Sequence, residues 1–332
     1  MHEGRTVFAQ LMDWLPKHEF AKCVKRYGGD FHVRAMSCHE QFLILAFAQL
    51  TYRESLRDIE TCLRALGTKL YHSGIRSRAS RSTLADANEK RDRRIFSDFA
   101  HVLISQAADL YAGEDFGVQL TEAAYALDST TIDLCLSLFP RATFRRAKAA
   151  VKLHTLLALR GNFPSVVIVT PGSVHDVNIL DELCFDPGSF HIMDKGYLDY
   201  GRLHRLHRSG TFFVTRAKQN ARFSRRYSHP ADKPAGIRFD LTVTLSGFVS
   251  HRHYPDPLRR IGYRDPVTGK DFVFVTNNFI QPALTIASLY KSRWQVELFF
   301  KWIKHISESK PSTAPPRMPS ESRYGLPSPF MS

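Results

Sequence analysis

The sequence predicts an α/β protein in which an all-helical N-terminal domain precedes a mixed sheet with a β-rich insertion. Three observations predict this class. Apolar side chains recur at helical spacing over residues 1–118, and short apolar runs divided by turn residues begin at about residue 120. Residues about 216–280 add further short runs broken by Pro and Gly. Strands that are followed by alternating helices and strands are typical of a mixed sheet.

Charge and cysteine usage narrow the class of protein. The 332 residues carry a formal net charge of +14, which attracts polyanions. Nucleic acid is favoured over an anionic membrane because no segment has the pattern of an amphipathic anchor. The five cysteines are scattered and include no CxxC pair, which is typical of a reduced compartment. No apolar run is long enough to span a bilayer, so we expect a soluble, cytoplasmic protein.

The helical region shows a clear helix start and a clear amphipathic repeat. Ser37 and Glu40 have the spacing of a capping box before the apolar run "FLILAFAQL". Leu56, Ile59 and Leu63 then recur at helical spacing. A third helical region starts near "RSTLADANEKRD" and continues through "FSDFAHVLISQAADLYA".

The loop before that third region carries three arginines among serines and a glycine, namely Arg76, Arg78 and Arg81. Backbone amides of small residues and guanidinium groups together suit phosphate contacts. A solvated loop explains the same composition, and both interpretations stay open.

Two aspartates are placed at the ends of predicted strands: Asp128 in "YALDSTT" and Asp194 in "FHIMDKGY". The ends of neighbouring strands can bring separate carboxylates together on a rigid backbone. A turn or capping role is the alternative for each of them.

The segment from residue 288 to residue 304 is predicted to form one helix. Tyr290, Arg293, Glu297 and Lys304 would share an arc about 60° wide. A neighbouring arc would press four apolar side chains against the sheet: Leu289, Val296, Phe300 and Ile303. An intrahelical salt bridge between Arg293 and Glu297 is the simpler explanation for two of these charges. It does not account for Tyr290 and Lys304 on the same arc.

The polar residues of this helix resemble the signature of a known protein family. Tyr290, Arg293, Glu297 and Lys304, separated by two, three and six residues, resemble the signature of DDE transposases of the insertion-sequence-four family. The two upstream aspartates stand in the right order for that family. The stretches "AQLTYRESLRDIE", "KLYHSGIR" and "RSTLADANE" resemble the N-terminal region of one of its branches. The resemblance extends from residue 1 to about residue 306.

The resemblance implies a ribonuclease H-like catalytic domain over residues 119–306 and a DNA-binding domain over residues 1–118. Asp128, Asp194 and Glu297 would hold two Mg²⁺ or Mn²⁺ ions, a role that suits carboxylate oxygens. Water would hydrolyse a phosphodiester at the element's end, and the resulting 3′-hydroxyl would attack a second one. The implied partners are double-stranded DNA, as terminal repeats and target, and a second copy of the chain in a homodimer at the bacterial nucleoid.

Further residues are expected at the DNA because of the resemblance. Arg293 and Lys304 would bind phosphates, Tyr290 would position the backbone, and Lys301 is a weaker phosphate candidate. Trp294 matches a position where relatives stack an extruded base. A place in the core or at its rim is the alternative for this tryptophan.

Two weaker groups complete the candidates. His175 and Asp176 match a pair that relatives carry after the third strand, although Asp176 equally suits the N-cap of the next helix. Arg222, Arg225 and Arg226 in the β-rich segment would contact DNA as the family's insertion does. A solvated charge run is the alternative for these arginines.

Residues 307–332 are rich in Pro and Ser and lack apolar periodicity, which predicts a disordered tail. The family continues with helix at this point, so we interpret the tail as out of frame after a frameshift near residue 305. Activity of this copy is then in question. The alternatives to an active transposase are a non-catalytic DNA-binding remnant, an inhibitor of intact transposase, and a nuclease without strand transfer.

Overall fold

The computed structural model describes most of the chain. The described residues are 6–53, 55–76, 79–134, 143–145 and 148–307. Arg78 and residues 308–332 of the predicted tail lie outside them. No helix of the described ranges is long and apolar enough to cross a membrane.

Helices fill the first third of the chain, as predicted. Those in the described ranges are α1 Val7–Met12, α2 Lys17–Arg26, α3 Cys38–Leu50, α4 Leu56–Leu66, α5 Lys69–His72, α6 Arg81–Lys90 and α7 Arg94–Tyr111. The capping box is confirmed, because the Glu40 N–H donates to Ser37 Oγ at 3.1 Å and the Ser37 N–H donates to Glu40 Oε2 at 3.2 Å. The third helical region divides into α6 and α7 because Arg91 is extended and donates to Ser37 O and Gln41 Oε1.

A mixed sheet forms the rest of the described chain, which confirms the predicted α/β class. Its strands are β1 Ala124–Leu134, β2 Thr143–Arg145, β3 Lys148–Ala158, β4 Phe163–Pro171, β5 Phe190–Met193, β6 Phe212–Arg216, β7 Phe223–His229, β8 Ile237–Leu245, β9 Leu258–Arg264 and β10 Asp271–Thr276. Later helices are α8 Tyr200–Arg208, α9 Phe248–His253, α10 Ala283–Ser292 and α11 Trp294–Ser307, with short 3₁₀ helices at Asp176–Asp181 and Lys195–Tyr197.

The strands follow the order β2-β3-β1-β5-β6-β10-β9-β8-β7, and β4 pairs with β3. β1, β5 and β6 are parallel neighbours, whereas the other pairs are antiparallel. Strands β7 to β10 come from the segment predicted as an insertion. They extend the same sheet beyond β6.

Apolar side chains alternate between the two faces of the sheet and form a separate core on each. Ala126 of β1 and Ile192 of β5 share the first core with α10 and α11. Leu127 and Met193, the next residues along each strand, belong to the second core with α8. Because side chains alternate along a strand, the residues after Leu127 and Met193 return to the face that α11 covers.

A buried ion pair ties β8 and β9 to the chain that enters α10. Arg259 donates to Asp240 at 2.9 and 2.6 Å, and it also donates to Gln281 O at 2.6 Å. Asp240 and Arg259 are both buried. This pair therefore anchors the start of the helix that carries Tyr290.

Candidate functional site

The two predicted aspartates lie side by side on parallel strands. Leu127 of β1 pairs with Met193 of β5 in register, so Asp128 and Asp194 occupy the next positions along each strand. Neighbouring strands are about 4.8 Å apart, and both side chains face α11. Asp194 follows the last residue of β5, as predicted. Asp128 does not end its strand, because β1 continues to Leu134 through its pairing with β3.

The predicted helix over residues 288–304 is two helices that meet at Arg293. α10 ends at Ser292 and α11 begins at Trp294. The N–H of Arg293 donates to Tyr290 O at 3.2 Å, and that of Val296 donates to Arg293 O at 3.1 Å. These bonds reach back three residues, so the chain tightens at Arg293 without a Pro or Gly.

The predicted apolar face of this segment is confirmed. Leu289, Val296 and Phe300 are buried in the core beneath α10 and α11, and Ile303 packs against it. The polar side chains therefore emerge beside β1 and β5, where the aspartates are.

Arg293 joins the first aspartate to the glutamate. Its Nη1 lies 2.5 Å from Asp128 Oδ2, and its Nη2 lies 2.6 Å from Glu297 Oε1. The intrahelical salt bridge that was the simpler alternative is thus present, but it is one half of a bridge that crosses from α11 to β1. The Arg293 side chain is 15% exposed and that of Glu297 is 53% exposed, so Glu297 lies at the open side of the cluster.

Asp194 is held by two other side chains. Arg216, the last residue of β6, places Nη2 2.9 Å from Asp194 Oδ1. The Tyr290 hydroxyl donates to the same oxygen at 3.2 Å. Sequence reasoning missed Arg216, although a cation that ends "TFFVTR" next to a strand-end aspartate was a usable signal. Together, the three carboxylates and Arg216, Tyr290 and Arg293 form what we call the acidic cluster.

The pKa values of the two aspartates are shifted in opposite directions. Burial raises the pKa of Asp128, and the charges of Asp194 and Glu297 raise it further against the opposing effect of Arg293. Burial also acts on Asp194, but the N–H of Lys195 and the guanidinium of Arg216 outweigh it and hold the pKa of Asp194 below its usual value. Burial raises the pKa of Tyr290 to about 12, so its hydroxyl is a neutral donor at pH 7.

The acidic cluster has the ligand chemistry of a divalent metal site. Mg²⁺ prefers carboxylate oxygens, and three elements bring them to one face of the sheet. As the described side chains stand, no three of them are grouped closely enough to hold an ion. The guanidinium between Asp128 and Glu297 shows that a cation fits between these two carboxylates. The carboxylate donors therefore suit a divalent ion by their chemistry, while Arg293 occupies the space between two of them.

The other predicted residues of α11 flank the cluster. Trp294 is 47% exposed, and with Tyr290 and Arg293 it lines a cavity of about 210 Å³. It is therefore a rim residue that is accessible to a ligand. Lys301 is exposed and Lys304 is half-buried.

A larger cleft of about 830 Å³ opens beside Asp194. Three basic residues line it: Lys195, Arg216 and Lys218. Lys218 donates to Leu198 O at 3.1 Å. The cleft therefore offers positive charge at the edge of the acidic cluster.

Asp176 is not the N-cap that one interpretation expected. His175 takes the N-cap position of a short 3₁₀ helix and is exposed, while Asp176 is the first residue of that helix. Asp176 instead accepts a hydrogen bond from Ser129 at 2.6 Å and pairs with Lys152 at 3.1 Å. Sequence reasoning assigned no role to Ser129 or Lys152.

The remaining predicted arginines lie apart from the acidic cluster. Arg76 and Arg81 are exposed in the helical region, and their backbone N–H groups are bound by Glu40 and Glu60. Three others, Arg222, Arg225 and Arg226, are exposed at or beside β7. β7 lies five strand positions from β5, so these three arginines are well separated from Asp194 across the sheet.

Carboxylates that converge on one face of a mixed sheet beside arginines suit an enzyme that acts on phosphodiesters. The comparison with protein families agrees with this class. The chain belongs to the family described as "Transposase DDE domain", whose model matches residues 120–309. A second model, described as a domain of unknown function, matches residues 3–76.

Similar proteins are named as transposases, the first below as a putative and the second as a probable one. A transposase of Sinorhizobium fredii is 31% identical over 225 residues, which is 67% of this chain and 61% of that protein. The transposase of insertion sequence element IS5377 from Geobacillus stearothermophilus is 31% identical over 183 residues, which is 54% of this chain and 47% of that protein. The chain thus spans less than two thirds of the length of these relatives.

One solved structure resembles the fold only distantly. A piggyBac transposase synaptic complex with hairpin DNA has a TM-score of 0.44 and 10% sequence identity, with 88% of this chain and 67% of that chain covered.

Proposed function

We propose that this chain is the transposase of an insertion sequence, which cuts and joins DNA through Asp128, Asp194 and Glu297. One observation supports this most strongly. Asp128 and Asp194 lie at neighbouring positions of adjacent parallel strands, and Arg293 bridges Asp128 to Glu297 of α11, in a chain of the DDE transposase family. The proposal includes a ribonuclease H-like catalytic domain over residues 119–306 and membership of the insertion-sequence-four family.

The three carboxylates would hold two divalent ions, Mg²⁺ or Mn²⁺. When bound, such ions activate an attacking oxygen and stabilise the departing one. The chain's own contribution is to fix the ligands on two strands and one helix. Water and then a DNA 3′-hydroxyl would be the nucleophiles, so the chain needs no nucleophilic side chain.

The two arginines and the tyrosine of the acidic cluster would contact the DNA backbone in the complex. Arg293 and Arg216 bind carboxylates in the free protein, and the same planar donors suit phosphate oxygens. Tyr290 would donate a hydrogen bond from its hydroxyl to a phosphate near the cut site, as it donates to Asp194 in the free protein. Lys301 and Lys304 would extend this contact along α11, and Trp294 would stack on an exposed base.

Basic residues outside the acidic cluster would bind the DNA duplex on either side of the cut site. The cleft lined by Lys195 and Lys218 would take the strand next to Asp194. Arg222, Arg225 and Arg226, at or beside β7, would contact the duplex at a point away from the cut site, since β7 lies five strand positions from β5. The N-terminal helical domain, residues 1–118, would bind element ends with Arg76 and Arg81 at its surface.

The proposed partners are the terminal repeats of the element, target DNA and a second copy of this chain. Two ends must be held together for coordinated joining, which a homodimer would do. The site of action would be the bacterial nucleoid.

The experiment is an incubation of the purified protein with plasmid DNA that carries both flanks of its gene. Reactions contain Mg²⁺, Mn²⁺ or a chelator, and DNA binding is measured in parallel by mobility shift. We expect strand cuts with 3′-hydroxyl ends in either metal and none in the chelator.

Two outcomes would contradict the proposal. Binding without cutting in every condition would indicate a DNA-binding protein that occupies or competes for element ends. Cuts that are never followed by joined products would indicate a nuclease.

A further inference from the structure

Ser129 connects Asp128 to a second polar cluster on the opposite face of the sheet. Its backbone N–H donates to Asp128 Oδ1 at 2.8 Å. Its hydroxyl donates to Asp176 Oδ1 at 2.6 Å. The two side chains point to opposite faces because they are neighbours on β1. Ser129 thus binds the Asp128 carboxylate through its backbone N–H and is itself bound by Asp176 through its hydroxyl.

Asp176 is anchored in turn by Lys152. Lys152 Nζ lies 3.1 Å from Asp176 Oδ1 and donates to Val174 O at 2.7 Å. The Lys152 side chain is 14% exposed, so water competes weakly for its charge. Lys152 belongs to β3, which pairs with β1 directly. The Asp176 carboxylate, which accepts the hydrogen bond from the Ser129 hydroxyl, is therefore held by a lysine of β3, the strand next to β1.

We propose that Asp176 and Ser129 are positioning residues that fix the orientation of the Asp128 carboxylate. This inference rests on the proposed function of Asp128 as a metal ligand. A hydroxyl bound to a charged carboxylate makes a strong hydrogen bond. This bond ties the Ser129 position of β1 to Asp176 and so holds in place the backbone N–H that binds Asp128. Mutation of a group that hydrogen-bonds to a metal ligand and orients it lowers metal affinity or activity by about 10-fold to 100-fold.

The test uses three variants of the full chain: Ser129→Ala, Ser129→Thr and Ser165→Ala. Ser129→Ala removes the hydroxyl, whereas Ser129→Thr keeps one. Ser165 is the matched control, because its hydroxyl donates to Leu156 O at 2.8 Å on a neighbouring pair of strands. Mn²⁺ binding is measured by calorimetry and single-turnover DNA cleavage by gel assay.

We expect Ser129→Ala to bind Mn²⁺ about 10-fold to 100-fold more weakly. Its cleavage rate at saturating DNA should fall by a similar factor while its DNA affinity stays unchanged. Ser129→Thr should recover most of both losses, and Ser165→Ala should match the unmodified protein. Equal Mn²⁺ affinity in Ser129→Ala and Ser165→Ala would overturn the proposal.

Amide hydrogen exchange separates this inference from the proposed function. Unmodified protein that neither binds Mn²⁺ nor cuts DNA contradicts the proposed function. The positioning role is then read from the exchange rate of the Ser129 amide. Faster exchange in Ser129→Ala than in Ser165→Ala supports the role, and equal exchange rules it out.

Discussion

Asp128→Asn is expected to slow DNA strand cleavage by at least about a thousandfold. The substitution keeps the size of the side chain but removes a charge that the acidic cluster needs to hold a divalent ion. The loss of several kcal/mol of transition-state stabilisation corresponds to this factor, since each 1.36 kcal/mol changes a rate tenfold. The measurement is the single-turnover cleavage rate on DNA that carries the gene's flanks.

Asp109→Asn is the matched control for this substitution. Asp109 is exposed on α7, so the variant makes the same change in net charge outside the cluster. It should cleave at the unmodified rate, and both variants should bind DNA equally well. Cleavage by Asp128→Asn within tenfold of the control would remove Asp128 from the proposed active site.

Asp240→Ala is expected to destabilise the fold by about 3 to 5 kcal/mol. The change leaves the Arg259 guanidinium buried without its carboxylate, in a place where its side chain is only 8% exposed. It also loosens the contact between Arg259 and the chain that enters α10. We expect a melting temperature lower by roughly 10 °C, measured by calorimetry.

Asp271→Ala provides the comparison for Asp240→Ala. Asp271 pairs with Arg238 at 3.0 Å, but both side chains are more than half exposed. Such surface pairs contribute about 0 to 1 kcal/mol. A melting temperature for Asp240→Ala that equals that of Asp271→Ala would show that the buried pair does not anchor the sheet.

The sequence predicted the elements whose signals are local. The capping box at Ser37, the amphipathic face of Ile59 and Leu63, and the buried face of α11 are all found where periodicity placed them. The basic strand β7 was harder to predict, because its sequence "FSRRYSH" has no apolar alternation. That strand is exposed along most of its length at the edge of the sheet, so no burial pattern marks it.

The sequence could not predict how the acidic cluster is neutralised. Its charges were visible, but the pairing of Arg293 with Asp128 depends on how α11 packs on β1, and that of Arg216 with Asp194 depends on β6 lying next to β5. The tightening at Arg293 also escaped prediction, since Arg is a good helix former. Ser129 was missed because its role comes from a strand and a turn 47 residues apart.

Strand joining tests the central claim most directly. A duplex oligonucleotide that ends at the cut site is incubated with the protein, Mn²⁺ and a supercoiled plasmid, once with a 3′-hydroxyl and once with a 3′-deoxy terminus. A transposase should join the first oligonucleotide to the plasmid and leave the second unjoined. Plasmid nicking without joining of either oligonucleotide, by protein that binds both, would contradict the assignment as a transposase.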